Sequence, residues 1–144
     1  IGDGVDRTRL KRMVDEYGIS ARVSFHHNLS YREVISRIKG ARVLVLPSTR
    51  EGFGMVLAEA NACSVPVVAY RSGGVVEVID DGENGFLVEA YNKNVLYDKV
   101  RLLISDGKLR NKMGFLGRKK VEKKFIWANI VSHIEKSYSL YFKT

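Results

Sequence analysis

Ala41-Arg42-Val43-Leu44-Val45-Leu46-Pro47-Ser48-Thr49-Arg50-Glu51-Gly52-Phe53-Gly54-Met55-Val56-Leu57-Ala58-Glu59 passes from an aliphatic run through a glycine-bearing turn into an apolar helical segment. The nearly continuous branched-aliphatic stretch 41–46 predicts a strand buried on both faces of a parallel sheet. Gly52 and Gly54 let backbone approach a ligand with no Cβ in the way, and a helix beginning near Gly54 presents unpaired N–H groups and the positive end of its dipole. Such a junction suits a phosphate or diphosphate.

The pattern repeats downstream. Pro66–Tyr70 reads as a second buried strand, Ser72-Gly73-Gly74 as a second turn into a short helix, and Asp80–Gly85 as a turn into the strand Phe86–Val88. Helices are then predicted over Asn94–Ser105, from Leu109 to about Phe125, and from Trp127 to Phe142. Upstream, Leu10, Met13, Val14 and Tyr17 recur at helical spacing, with Asp6 as N-cap and Gly18 as stop. Arg22–Phe25 alternates as a short strand, and Ser30 with Glu33 forms a capping box for a helix carrying Val34, Ile35 and Ile38. Strands alternating with helices imply an α/β fold, Rossmann-like and three-layered, with a mostly parallel sheet. Ligands of such sheets bind beyond the carboxyl ends of the strands, so the turns at Pro47 and Ser72 should share one edge with the loops at Gly2 and His26.

Composition is that of an ordinary soluble domain: 144 residues, 45% hydrophobic and 28% charged. One domain over residues 1–144 is expected. No apolar run approaches the roughly 18 to 20 residues of a membrane span, and no signal peptide pattern is present, so a cytoplasmic protein is expected. Cys63 stands alone among small helical residues and reads as a packed thiol. His26 and His27 point to opposite faces of an extended chain, which argues against a shared metal.

The net charge of +8 is localised. Ten Lys and Arg lie between Lys99 and Lys124 against Asp106 and Glu122, while the other fourteen basic and fourteen acidic residues cancel. Residues 99–124 read either as a solvated helix face or as a surface resting against anionic lipid headgroups at the inner membrane face or against another acidic partner. No aromatic residues alternate with these charges as nucleic-acid stacking requires, so nucleic acid is not expected as a partner.

Glu51 lies before the helix and Glu59 more than a turn inside it, too far apart in sequence to grip one atom. Carboxylates accept hydrogen bonds from paired hydroxyls, which suits Glu59 to a ribose and Glu51 to a second polyol. The plainer alternative makes Glu51 a helix-start carboxylate facing the dipole and Glu59 a solvated helix residue.

Residues 51–69, E-G-F-G-M-V-L-A-E-A-N-A-C-S-V-P-V-V-A, and 72–88, S-G-G-V-V-E-V-I-D-D-G-E-N-G-F-L-V, resemble the donor-binding half of a retaining glycosyltransferase of the GT-B fold, family 4 (glycosyl transferases group 1). Gly2-Asp3-Gly4, Arg22-Val23-Ser24-Phe25 and Trp127-Ala128-Asn129-Ile130 extend the likeness to nearly the whole chain. The resemblance implies that Glu51 contacts the hydroxyls of the transferred sugar. It likewise implies that backbone around Gly52, Phe53, Gly54, Met55 and Val56 holds sugar and diphosphate, that Glu59 binds the ribose, and that backbone near Val23 meets the base. The co-substrate would be a nucleotide diphosphate sugar; neither a metal nor another cofactor is expected, since helix dipole and basic side chains neutralise the leaving diphosphate.

Three departures stand out. His27 replaces a usual glycine after the V-x-F segment, Ser64 replaces the glycine before x-Pro-Val-Val, and the family's diphosphate-gripping Arg and Lys, like its acceptor domain, fall upstream of Gly2. The fragment alone is therefore expected to bind donor without transferring sugar. Two other classes compete. A nicotinamide-dependent oxidoreductase would need a third glycine where Arg7 stands and an acidic residue ending a later strand. A non-catalytic nucleotide-binding or membrane-surface module would use the basic helices alone.

Overall fold

The computed structural model describes residues 1–141, apart from the side chains of residues 133, 140 and 141. The last residue of the expected terminal helix, Phe142, lies outside the described residues. The chain forms two compact units, Ile1–Val34 and the remainder from Ile35.

In the first unit, helix α1 (Arg7–Glu16) buries none of its residues fully. Asp6 is its N-cap residue but makes no side-chain cap; its carboxylate accepts from Arg9 Nε at 2.8 Å instead. That pairing holds the Asp6 carboxyl below its ordinary pKa. Gly18 ends the helix at φ +63°, a left-handed conformation that glycine adopts without a Cβ penalty. The expected strand Arg22–Phe25 is not one: Ser20–Arg22 form a 3₁₀ turn, and Val23 is extended without a partner strand. Gly2 N–H donates to His26 O at 2.9 Å, so the loops at Gly2 and His26 do lie together.

Helix α2 (Tyr31–Lys39) starts with the anticipated capping box. Ser30 N–H donates to Glu33 Oε2 at 2.8 Å, and Ser30 Oγ accepts from Glu33 N–H at 3.4 Å.

The second unit contains a parallel sheet in the order β1 (Leu44–Leu46), β2 (Val67–Tyr70), β3 (Gly85–Val88). Register pairs Leu46 with Ala69 and Ala69 with Leu87. β2 is buried at every residue and therefore covered on both faces. Val68 and Tyr70 share a cluster with Phe86, Val88, Leu103 and Met113. β1 corrects the sequence reading: it is three residues long, and Val45 is 36% exposed. As an edge strand it pairs, among the described residues, only with β2, and Ala41 N–H turns back to Ile38 O. Five helices complete the unit: α3 (Met55–Ala62), α4 (Val75–Val78), α5 (Lys93–Ser105), α6 (Gly107–Lys124) and α7 (Trp127–Tyr141). Asn92 and Asp106 cap α5 and α6, accepting from Val95 N–H and Leu109 N–H.

Two glycines bring α6 against the end of α3. A Cβ on Gly114 would run into Ser64 O, and one on Gly117 into the Asn61 carboxamide. Asn61 is fully buried and neither of its amide atoms has a hydrogen-bond partner. Ser64 itself has φ +59°, while Ser64 N–H donates to Asn61 O and Val65 N–H to Ala60 O, both at 2.9 Å. This is the Schellman ending, in which glycine is the favoured residue. Ser64→Gly is therefore expected to stabilise the fold by about 1 kcal/mol, read as a rise in denaturant midpoint at constant slope. A lower midpoint would mean that the serine side chain compensates its backbone strain.

Candidate functional site

The connections after β1 and β2 leave the carboxyl edge of the parallel sheet and meet there peptide to peptide. Gly74 N–H donates to Gly52 O at 2.7 Å, and Ser72 Oγ donates to Ser48 O at 3.4 Å. Gly73 sits at φ +46°, so close to Glu51 that a Cβ would strike the Glu51 carbonyl; a Cβ on Gly74 would strike the Gly52 carbonyl. The glycines at 73 and 74 thus hold the Glu51 turn in place. The expectation that the turns at Pro47 and Ser72 share one edge is met.

Gly54 is buried, has φ +78°, and is the N-cap of α3. An ideal Cβ there would lie 2.8 Å from Leu57 Cδ1 and 3.5 Å from Val75 Cγ2, so apolar packing also requires glycine. Gly54 has no side chain to cap the first turn of α3, where Leu57 N–H donates to Gly54 O at 2.8 Å. Glu51 is half-buried at the turn, and Glu59 is half-buried on α3. Burial raises the pKa of Glu59 above the ordinary glutamate value. Met55 is exposed and Val56 half-buried at the helix start.

Phe53 holds a role that sequence reading missed. Its ring meets Phe125 edge-on, with centroids 5.5 Å apart and planes at 84°, tying the turn to the end of α6. A signal existed: a large aromatic between two glycines needs a surface to lie on. Val23, in the first unit, is half-buried, with its N–H directed at Ser20 O at 3.4 Å. In the same unit a cleft of about 330 Å³ is lined by Gly2, Asp3, Arg7, Leu10, Phe25 and His26, among others.

The acidic turn after α4 is structural. Asn84, buried, accepts from Asp80 N–H at 2.7 Å and donates to Val78 O at 2.9 Å, and Asp81 accepts from Leu87 N–H. Lys120 reaches Asp80 at 2.8 Å with only 8% of its side chain exposed. Among the described residues, no group of three His, Cys, Asp or Glu side chains is placed to hold a metal. Cys63 is half-buried at the C-cap of α3.

A parallel sheet with a glycine-lined turn and a helix start at its carboxyl edge defines a Rossmann-like α/β protein of the kind found in GT-B enzymes. Residues 1–120 match the sequence profile of the glycosyl transferases group 1, and the chain belongs to that family. It is 40% identical over 138 residues to an uncharacterized glycosyltransferase of Methanocaldococcus jannaschii, a match covering 96% of this chain and 39% of that protein. The sucrose-phosphate synthase of Thermosynechococcus elongatus superposes with a TM-score of 0.85 at 31% identity, over 99% of this chain and 36% of that one. A second similar structure, HepE of Anabaena in complex with UDP and glucose, gives 0.82 at 25% identity, over 92% and 36%. The chain thus spans little more than a third of the length of each of these three proteins.

Proposed function

We propose that the chain is the donor-binding domain of a retaining glycosyltransferase, which moves a sugar from a nucleotide diphosphate sugar to an acceptor. The observation that carries this reading is the peptide-to-peptide lock between the Glu51 turn and Gly73-Gly74. It holds one carboxylate and one uncapped helix start at the edge where ligands of parallel sheets bind.

In this reading the diphosphate lies on the N-terminus of α3, held by backbone of Gly52, Phe53, Gly54, Met55 and Val56. Breaking the bond between sugar and diphosphate leaves an additional negative charge on the diphosphate. The helix dipole stabilises that charge without reorganisation, so no metal is called for. Glu51 accepts hydrogen bonds from the sugar hydroxyls, and Glu59 accepts them from the ribose. UDP in the similar HepE complex makes a uridine nucleotide the first candidate. Transfer itself also requires an acceptor-binding domain.

Calorimetry and thermal shift of the chain with UDP-, GDP- and ADP-sugars test this. Saturable binding of at least one, with a rise in Tm, is expected, and no sugar transfer by the chain alone. A folded chain that binds none of them, or that turns over by itself, overturns the assignment.

A further inference from the structure

The eight basic side chains of α6 divide by what they touch. Arg110 donates to Leu103 O and Ile104 O and closes the end of α5. Lys120 is buried on Asp80, and Arg118 holds Glu122, the only carboxylate of the helix, at 2.8 Å. Those three serve the fold or a local pair. Lys108, Lys112, Lys119, Lys123 and Lys124 are exposed, and among the described residues none has a carboxylate partner.

Four of these five share one face. Successive helix residues are about 100° apart, which places Lys108, Lys112, Lys119 and Lys123 within one narrow stripe. Met113, Gly114 and Gly117, the buried positions, lie on the opposite side. The stripe runs for about 22 Å at 1.5 Å per residue. Phe115 stands in its middle, 55% exposed, with Lys119 Nζ 4.5 Å from its ring centre.

We infer that this face of α6 docks on an anionic lipid bilayer. The charge complementarity is local: a straight row of ammonium groups on a helix whose one carboxylate, Glu122, is already paired with Arg118. Ammonium groups on flexible stems suit the point charges of a headgroup layer, and a single exposed ring can enter the interface between them. Base readout in a duplex would add planar guanidinium forks to the row, and a single-strand track would add several stacking rings. Lys119 leaves the Phe115 ring for a lipid phosphate as the ring enters. The inference is independent of the donor site, because α6 carries none of the residues assigned to it.

Co-sedimentation of the 144-residue chain with vesicles tests it, using phosphatidylcholine alone or with a third phosphatidylglycerol. Binding is expected only to the anionic vesicles, with loss between about 50 mM and 500 mM salt as the screening length shrinks. Each stripe lysine removed should lower the partition coefficient about fivefold, so Lys112→Gln with Lys119→Gln should lower it about 25-fold. The charge-matched control Lys11→Gln with Arg12→Gln on α1 should change it little. Phe115→Ser should weaken the anionic binding while keeping its salt dependence. Circular dichroism confirms that each variant is folded. Equal binding to neutral vesicles, an equal loss in the control, or retention on duplex DNA but not on vesicles would each overturn the inference.

Discussion

Glu51→Ala in a transferase carrying this domain is expected to lower kcat about 100- to 1,000-fold while donor affinity changes little. The carboxylate sits on a turn clamped by Gly73 and Gly74, so its loss deletes a charge from a fixed position and leaves the scaffold standing. Glu59→Ala should act differently. It removes charge-assisted hydrogen bonds to the ribose, made equally in ground and transition states, and should raise the donor KM about tenfold or more with kcat nearly unchanged. Steady-state kinetics with varied donor distinguish the two, and a donor KM unmoved by Glu59→Ala would remove the ribose assignment.

Glu59 also has a stability signature. Burial raises its native pKa above the unfolded value, so the native state holds the proton more tightly. Its favourable contribution is present below the unfolded pKa and is lost as pH rises through the native one. Glu59→Gln should therefore gain Tm over the parent at neutral pH but not below about pH 4, under the unperturbed glutamate range. Coincident pH profiles would show that the carboxylate is well solvated in the native state.

Much of this arrangement was legible because it is local. The capping box of Ser30 and Glu33, the buried run Val67–Tyr70 and the turn-to-helix junction at Gly54 depend on residues near one another in sequence. What depends on distant partners was misread or missed. Val43-Leu44-Val45 looks like a central strand, yet among the described residues β1 has only one neighbour and Val45 is 36% exposed. Arg22–Phe25 alternates correctly but, among the described residues, finds no strand to pair with. Ser64 read only as a departure from a family glycine, whereas its φ of +59° shows that the backbone still demands what glycine supplies. The basic excess of α6 was visible as a number; only packing separates Arg110, Arg118 and Lys120 from the lysines left on the open face.

The same glycine-to-alanine change at two places should separate the site from the fold. Gly74 has φ −75° and ψ 0°, which alanine adopts freely, so Gly74→Ala is a purely steric probe. Its methyl would strike the Gly52 carbonyl and lie 3.0 Å from Phe53 Cα, and the turn must move to admit it. Displacing the Glu51 turn by about 1 Å is enough to cost about 100-fold in activity. The turn is at the surface, so much of that strain can relax without unfolding the sheet. Gly114 is different. An alanine in mid-helix would ordinarily favour α6 by about 1 kcal/mol. Here its methyl meets the Ser64 carbonyl, fixed by the two hydrogen bonds that end α3 and followed directly by buried Val65 and Pro66. Neither helix can yield locally, and Gly114→Ala should lower stability by about 1–3 kcal/mol despite its better helix propensity. Unfolding curves and donor titrations on both variants decide the matter. Gly114→Ala should lose denaturant midpoint and keep donor affinity in the folded fraction, and Gly74→Ala the reverse. If the two behave alike, the turn at Glu51 is part of the cooperative core, and the lock at Gly74 serves the fold more than the ligand.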